Sequence, residues 1–113
     1  MTECRASAGR SALFAIVLVT AALPGAAADS AVGRQKARSC AVCHGVLGLS
    51  SAADTPNLAG QPEVYLSSQL RAYRGGKRQH EVMSVIAKPL SDDDIGDLAA
   101  WYASLVVEVK PVP

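Results

Sequence analysis

The sequence predicts an all-α domain built from three or more short helices. Three observations predict it. Apolar residues recur at helical spacing in separate stretches, and the stretches carry their own start or stop residues. No run alternates in the period-two pattern of a convincing strand. A Cys-x-x-Cys-His motif, Cys40-Ala41-Val42-Cys43-His44, offers a staple to a chain too short for a large core.

The first predicted helix covers Ala31 to Ala41. Its Gly33 and Ala37 lie four apart on one face, and both are small, so a partner helix can approach closely there. Gly45 to Gly60 is rich in Gly, Ser, Ala and Pro and reads as a loop. The second helix covers Pro62 to Arg74. Pro62 suits a first helical position, Leu66, Leu70 and Tyr73 form an apolar stripe, and Gly75-Gly76 ends the run. The third begins at Ser91, a good N-cap, with Asp92, Asp93 and Asp94 where the helix dipole favours anions. Ile95, Leu98, Trp101, Tyr102 and Leu105 supply its buried face. Val106 to Pro113 reads as a short extended tail. There is no internal repeat and no second Cys-x-x-Cys-His.

The motif carries the chemistry. Two thiols flanking a two-residue spacer can each reach one vinyl group of a haem, forming two thioether bonds, and the next residue can offer a ring nitrogen to the iron. Cys40 and Cys43 are therefore the expected covalent attachment points of one haem c, and His44 an expected axial ligand. A thioredoxin-type site needs no following His and belongs to a βαβ pattern. A zinc site usually needs a second ligand pair, and the only other cysteine is Cys4. The helices are thus expected to wrap around a covalently held apolar disc.

The N-terminus agrees with that reading. Arg5 and Arg10 precede an apolar run from Ala12 to Leu23, broken by Pro24 and Gly25 and followed by Ala26-Ala27-Ala28. This is the pattern of a secretory signal peptide, and the run is shorter than the ~20 residues a membrane span needs. Residues 1–28 are read as a signal and 29–113 as one domain. An uncleaved anchor is the alternative. Haem is attached to such motifs on the export side of the membrane, so the periplasm is the expected location. From Asp29 onward, nine basic and nine acidic residues balance, which gives no sign of nucleic-acid binding.

The iron either takes a sixth ligand or keeps that position open. Met83 is the one methionine after residue 28, placed in a predicted loop before the last helix, and its thioether suits the face opposite His44. His80 is the rival. It sits among Arg78, Gln79 and Glu81, where an exposed histidine is the plainer account.

At this point the chain resembles the class I c-type cytochromes, from Gly33 to Leu105. It is most similar to the small bacterial periplasmic branch related to the dihaem c4 cytochromes. The segments that carry the likeness are Cys40 to Gly45, Pro56-Asn57-Leu58-Ala59-Gly60-Gln61, Tyr65 to Arg74, Leu90 to Ile95 and Leu98 to Tyr102. In that family the sixth ligand is a methionine seven residues before the Leu of a Leu-Ser pair, and Met83 stands seven before Leu90. Many relatives carry a second methionine three residues later, where this chain has Ile86. The resemblance implies that the carbonyl of Pro56 accepts the N–H of His44. It further implies that Leu58 and Leu98 pack on the haem, and that Gly33 and Ala37 meet Trp101 where the first and last helices cross.

A haem held by His and Met has both axial positions filled, which leaves one-electron transfer rather than substrate chemistry. The expected protein is a periplasmic electron carrier and not an enzyme. It would be monomeric or weakly associating, without a membrane span once cleaved, and would meet redox proteins through small transient interfaces. An electron-transfer subunit docked to a periplasmic dehydrogenase or oxidase is the second reading. An open-iron sensor or peroxidase-like protein is the third. A basic cluster (Arg71, Arg74, Lys77, Arg78) and an acidic one (Asp92, Asp93, Asp94, Asp97) are either partner-steering patches or plain solvated surface.

Overall fold

A computed structural model describes residues 27–112. The expected signal, residues 1–28, lies outside the described residues except for its last two. Five helices follow in order: α1 Ser30–Lys36, α2 Ala41–His44, α3 Glu63–Arg74, α4 Met83–Ala87 and α5 Asp92–Ala103. There is no strand among the described residues, so the all-α expectation holds.

The single first helix expected over Ala31 to Ala41 is two. Asp29 starts α1, its carboxylate accepting the N–H groups of Ala31 and Val32. The helix stops at Lys36, whose carbonyl accepts the Ser39 hydroxyl at 3.1 Å. Tight bonds of the i→i+3 kind then carry the chain from Gln35 to Cys40. Helical bonding resumes with Ala41 N–H to Ala37 and His44 N–H to Cys40, both at 2.9 Å. Ser39 diverts a backbone acceptor, which is why Ser is a poor helix-interior residue. Nothing else in the local sequence marks the break.

α3 follows its expectation to within one residue. Pro62 stands just outside the helix, extended at ψ 135°, rather than at the first helical position, and its carbonyl accepts Leu66 N–H at 3.0 Å. α5 opens as expected at Ser91. The Ser91 hydroxyl accepts Asp94 N–H, and the Asp94 carboxylate accepts Ser91 N–H in return, forming a capping box.

The last helix organises the rest. α1 and α3 both pack on α5, and α4 packs on α3. Where α1 crosses α5, a Cβ on Gly33 would lie 1.9 Å from the Asp97 carbonyl oxygen and 2.8 Å from the Trp101 Cβ. Glycine is required there because two backbones touch. Ala37, Leu66, Leu98, Ala99 and Tyr102 form the buried core, with Leu58, Trp101 and Leu105 packed against it. Ile95 is fully buried as well.

The buried face of α5 holds one residue that the apolar pattern does not anticipate. Asp97 is 8% exposed. It is tolerated because one oxygen accepts Asp29 N–H and the other accepts the Lys36 ammonium, each at 2.7 Å. Lys36 also pairs with Asp94 at 2.8 Å. Across the molecule, Arg74 pairs with Asp92 at 2.6 Å and donates to the Leu90 carbonyl, tying α3 to the start of α5. Much of both charged clusters is thus spent on internal ties.

Candidate functional site

The site residues expected from the sequence lie on four segments: α2, the loop after it, α4 and the middle of α5. Cys40 is half-buried and Cys43 exposed, and both are free thiols. Burial pushes the Cys40 thiol above its ordinary value. The thiol sits beside the Tyr102 hydroxyl, which is buried and finds no hydrogen-bond partner of good geometry among the described residues. Burial, and then Cys40, push the Tyr102 hydroxyl up as well.

His44 ends α2 and is 7% exposed. Gly45 follows at φ +81°, where a side chain would strike the Leu49 carbonyl, so the helix must stop and turn there. The loop is folded by its own backbone. The Gly48 carbonyl accepts both Leu58 N–H at 2.7 Å and Ala59 N–H at 3.1 Å, and Asn57 Oδ1 accepts Ser50 N–H at 2.7 Å. Gly48 itself is pressed against the Tyr102 ring, 2.8 Å from where a Cβ would stand. These bonds bring the Pro56 carbonyl to 2.8 Å from His44 Nδ1. A carbonyl can only accept, so Nδ1 carries the hydrogen and Nε2 keeps its lone pair. The bond implied for Pro56 and His44 is therefore present. Leu58 and Leu98 share one apolar cluster.

Met83 is half-buried and begins α4, where the sequence predicts a loop. The helix is short and has no conventional N-cap, so no start signal marks it. His80 supplies one: its Nδ1 accepts the N–H groups of Val82 at 3.2 Å and Met83 at 3.3 Å. The ring is exposed, as expected, but it is not idle.

Haem c can be tested against these residues directly. Among the described residues α2 packs on no other helix and α4 only on α3, so the elements bearing His44 and Met83 are not packed together. The segments flanking them leave large apolar side chains uncovered: Val42, Val46, Leu47 and Leu49 on one side, Val82, Val85 and Ile86 on the other. Two free thiols, an imidazole nitrogen with its lone pair, a thioether and uncovered apolar surface suit a covalently attached macrocycle. Among the described residues there is no cluster of His, Cys, Asp and Glu that would hold a bare metal ion.

With the fold and donor set in place, the comparisons fall into line. The profile of the cytochrome c family matches residues 30–105. The chain belongs to that family, as an all-α class I cytochrome c whose cofactor is covalent haem c. It is 44% identical over 81 residues to cytochrome c-554(548) of Halomonas halodenitrificans, covering 69% of this chain and 98% of that one. It is 41% identical over 102 residues to the thiosulfate dehydrogenase electron acceptor of Thiomonas intermedia, covering 89% of this chain and 47% of that one. Among solved structures, reduced recombinant cytochrome c4 from Pseudomonas stutzeri superimposes with a TM-score of 0.69 at 38% identity, covering 74% of this chain and 48% of that one. The chain thus spans nearly all of the first relative and about half the length of the other two. Cytochromes of this family are electron-transfer proteins.

Proposed function

We propose that the chain is a periplasmic one-electron carrier, with Cys40 and Cys43 holding the haem and His44 and Met83 as its axial ligands. The observation that carries this reading is the Pro56–His44 bond. It orients the imidazole and leaves Nε2 as the donor. Bound haem supplies a one-electron iron couple. Everything else falls to the chain. The loop bonds at Gly48 and Asn57 hold Pro56 against His44. Met83 offers a soft thioether, which favours the reduced state. Leu58 and Leu98 supply an apolar wall. Filled axial positions leave a substrate no place on the metal, which supports a carrier over an enzyme.

Export and processing complete the reading. Residues 1–28 act as the signal and 29–113 as the domain. No helix among the described residues is long and apolar enough to cross a membrane. Partners are redox proteins met by transient docking, at a surface where Cys43 and Val42 are exposed. A second reading, an electron-transfer subunit working for one dehydrogenase, is favoured by the name of the Thiomonas relative, an enzyme's electron acceptor.

One preparation tests the main reading. The protein exported in a host with haem-maturation factors should have an intact mass starting at or within two residues of Asp29, plus one haem. Its oxidised form should show the red-edge absorbance band of a methionine–iron bond. A retained residue 1 points to a tethered cytochrome, and a missing band removes Met83 from the ligand set.

A further inference from the structure

We propose that His80 is the positioning residue of the sixth ligand: its imidazole caps α4 and holds Met83 in place. The inference rests on the reading of Met83 as that ligand.

The backbone of α4 leaves little else to do the work. The helix has five residues, far below the length at which an isolated helix is stable, so its geometry depends on its ends and its packing. Among the described residues it packs only on α3. The His80 ring is the sole hydrogen-bond partner of the Met83 N–H among the described residues. The same nitrogen takes the Val82 N–H. Ser84 closes the arrangement from the other side. Its hydroxyl accepts His80 N–H at 3.0 Å, and its own N–H donates to the His80 carbonyl at 3.0 Å. The result has the logic of a capping box, with an imidazole in place of the usual hydroxyl or carboxylate.

The tautomer separates this role from that of a ligand. To accept two N–H groups, Nδ1 must be bare, which places the ring hydrogen on Nε2. Ligation through Nε2 would move that hydrogen to Nδ1, directly against two donors. His80 therefore caps α4 or binds metal through Nε2, and it does not do both.

The test uses the oxidised haem-loaded protein and free imidazole, which competes for the sixth position by displacing the thioether. His80→Ala should bind imidazole about fivefold more tightly than the unaltered protein, the equivalent of the ~1 kcal/mol that a lost cap typically costs. His80→Asn returns a short side-chain acceptor and should recover most of the difference. In hydrogen exchange, His80→Ala should speed the Met83 amide and leave the amides of α5 unchanged. Met83→Ala should bind imidazole more tightly than either variant. If it does not, Met83 is not the ligand and the proposal falls with that reading. If Met83→Ala binds tightly while His80→Ala matches the unaltered protein, or Asn rescues nothing, the cap alone is overturned.

Discussion

The backbone N–H of Asp29 donates to Oδ1 of Asp97 at 2.7 Å, joining the residue before α1 to the middle of α5 across 68 positions. Lys36 holds the other carboxylate oxygen. An acidic residue that sequence places in a surface cluster, whether partner-steering or plainly solvated, is thus a buried tie between the two ends of the domain.

Acid should loosen this tie before the rest of the fold. Lys36, together with the Ser91 N–H and hydroxyl, holds the Asp94 carboxyl down at about 2, from an ordinary 3.8. The Asp29 nitrogen and then Lys36, both donors to the carboxylate, hold Asp97 below its ordinary value. Both groups are depressed in the folded state, so their stabilisation is complete above the unfolded value and is lost as pH falls through the folded one. Denaturation of the haem-loaded protein should show stability falling from about pH 4 toward about 2. Asp94→Asn should flatten that slope. An unchanged slope would mean that the pairing has no thermodynamic weight.

Gly33→Ala should be costly although it adds one methyl group. The new Cβ would overlap the Asp97 carbonyl, which is backbone and cannot rotate away. Overpacking of this kind costs about 1–3 kcal/mol or more. For a domain of this size each kcal/mol lowers the melting temperature by roughly 4–8 °C. Gly96→Ala is the control for adding a methyl at a helical glycine, since its Cβ position meets nothing nearer than 3.5 Å and its φ is not in the positive region. Equal melting temperatures for the two variants would contradict the close crossing.

Met83→Ala should lower the reduction potential and admit carbon monoxide to the reduced protein. Losing a soft donor destabilises the reduced state most. A tenfold change in a one-electron equilibrium is about 59 mV, and a drop of at least about that size is expected. His80→Ala should leave the sixth position closed to carbon monoxide. The opposite pattern, with His80→Ala altering the spectrum and Met83→Ala silent, would make the haem bis-histidine.

Cys40→Ala combined with Cys43→Ala should abolish haem staining on a denaturing gel and leave a chain without cooperative unfolding. Every helix among the described residues is at or below the length at which isolated helices become marginal, and few of those residues are fully buried. A sharp calorimetric transition in this variant would show that the protein core alone holds the fold.

What sequence made legible was mostly local chemistry. Cys40, Cys43 and His44 announce the cofactor by spacing alone, Ser91 announces α5 by its capping residues, and Gly33 and Ala37 announce a close crossing by size. The Pro56 contact came from family likeness, and the loop bonds show how it is built. The remainder depended on partners distant in the chain. Asp97 is buried because Asp29 and Lys36 reach it, which no periodicity reveals. The break between α1 and α2 rests on one serine hydroxyl. α4 was invisible because its cap is a histidine, a residue that sequence rules do not count as a start signal.

The placement of Tyr102 beside Cys40 has a consequence for the order of assembly. On the export route proposed above the chain emerges N-terminus first, so both thiols appear some sixty residues before the aromatic ring that lies beside one of them. Until α5 docks, nothing from that helix shields Cys40, and the small face of α1 has no surface to rest on. Bond formation at the thiols therefore has its widest access while the chain is still an open strand of helices. The docking of α5 then shuts the door behind the cofactor.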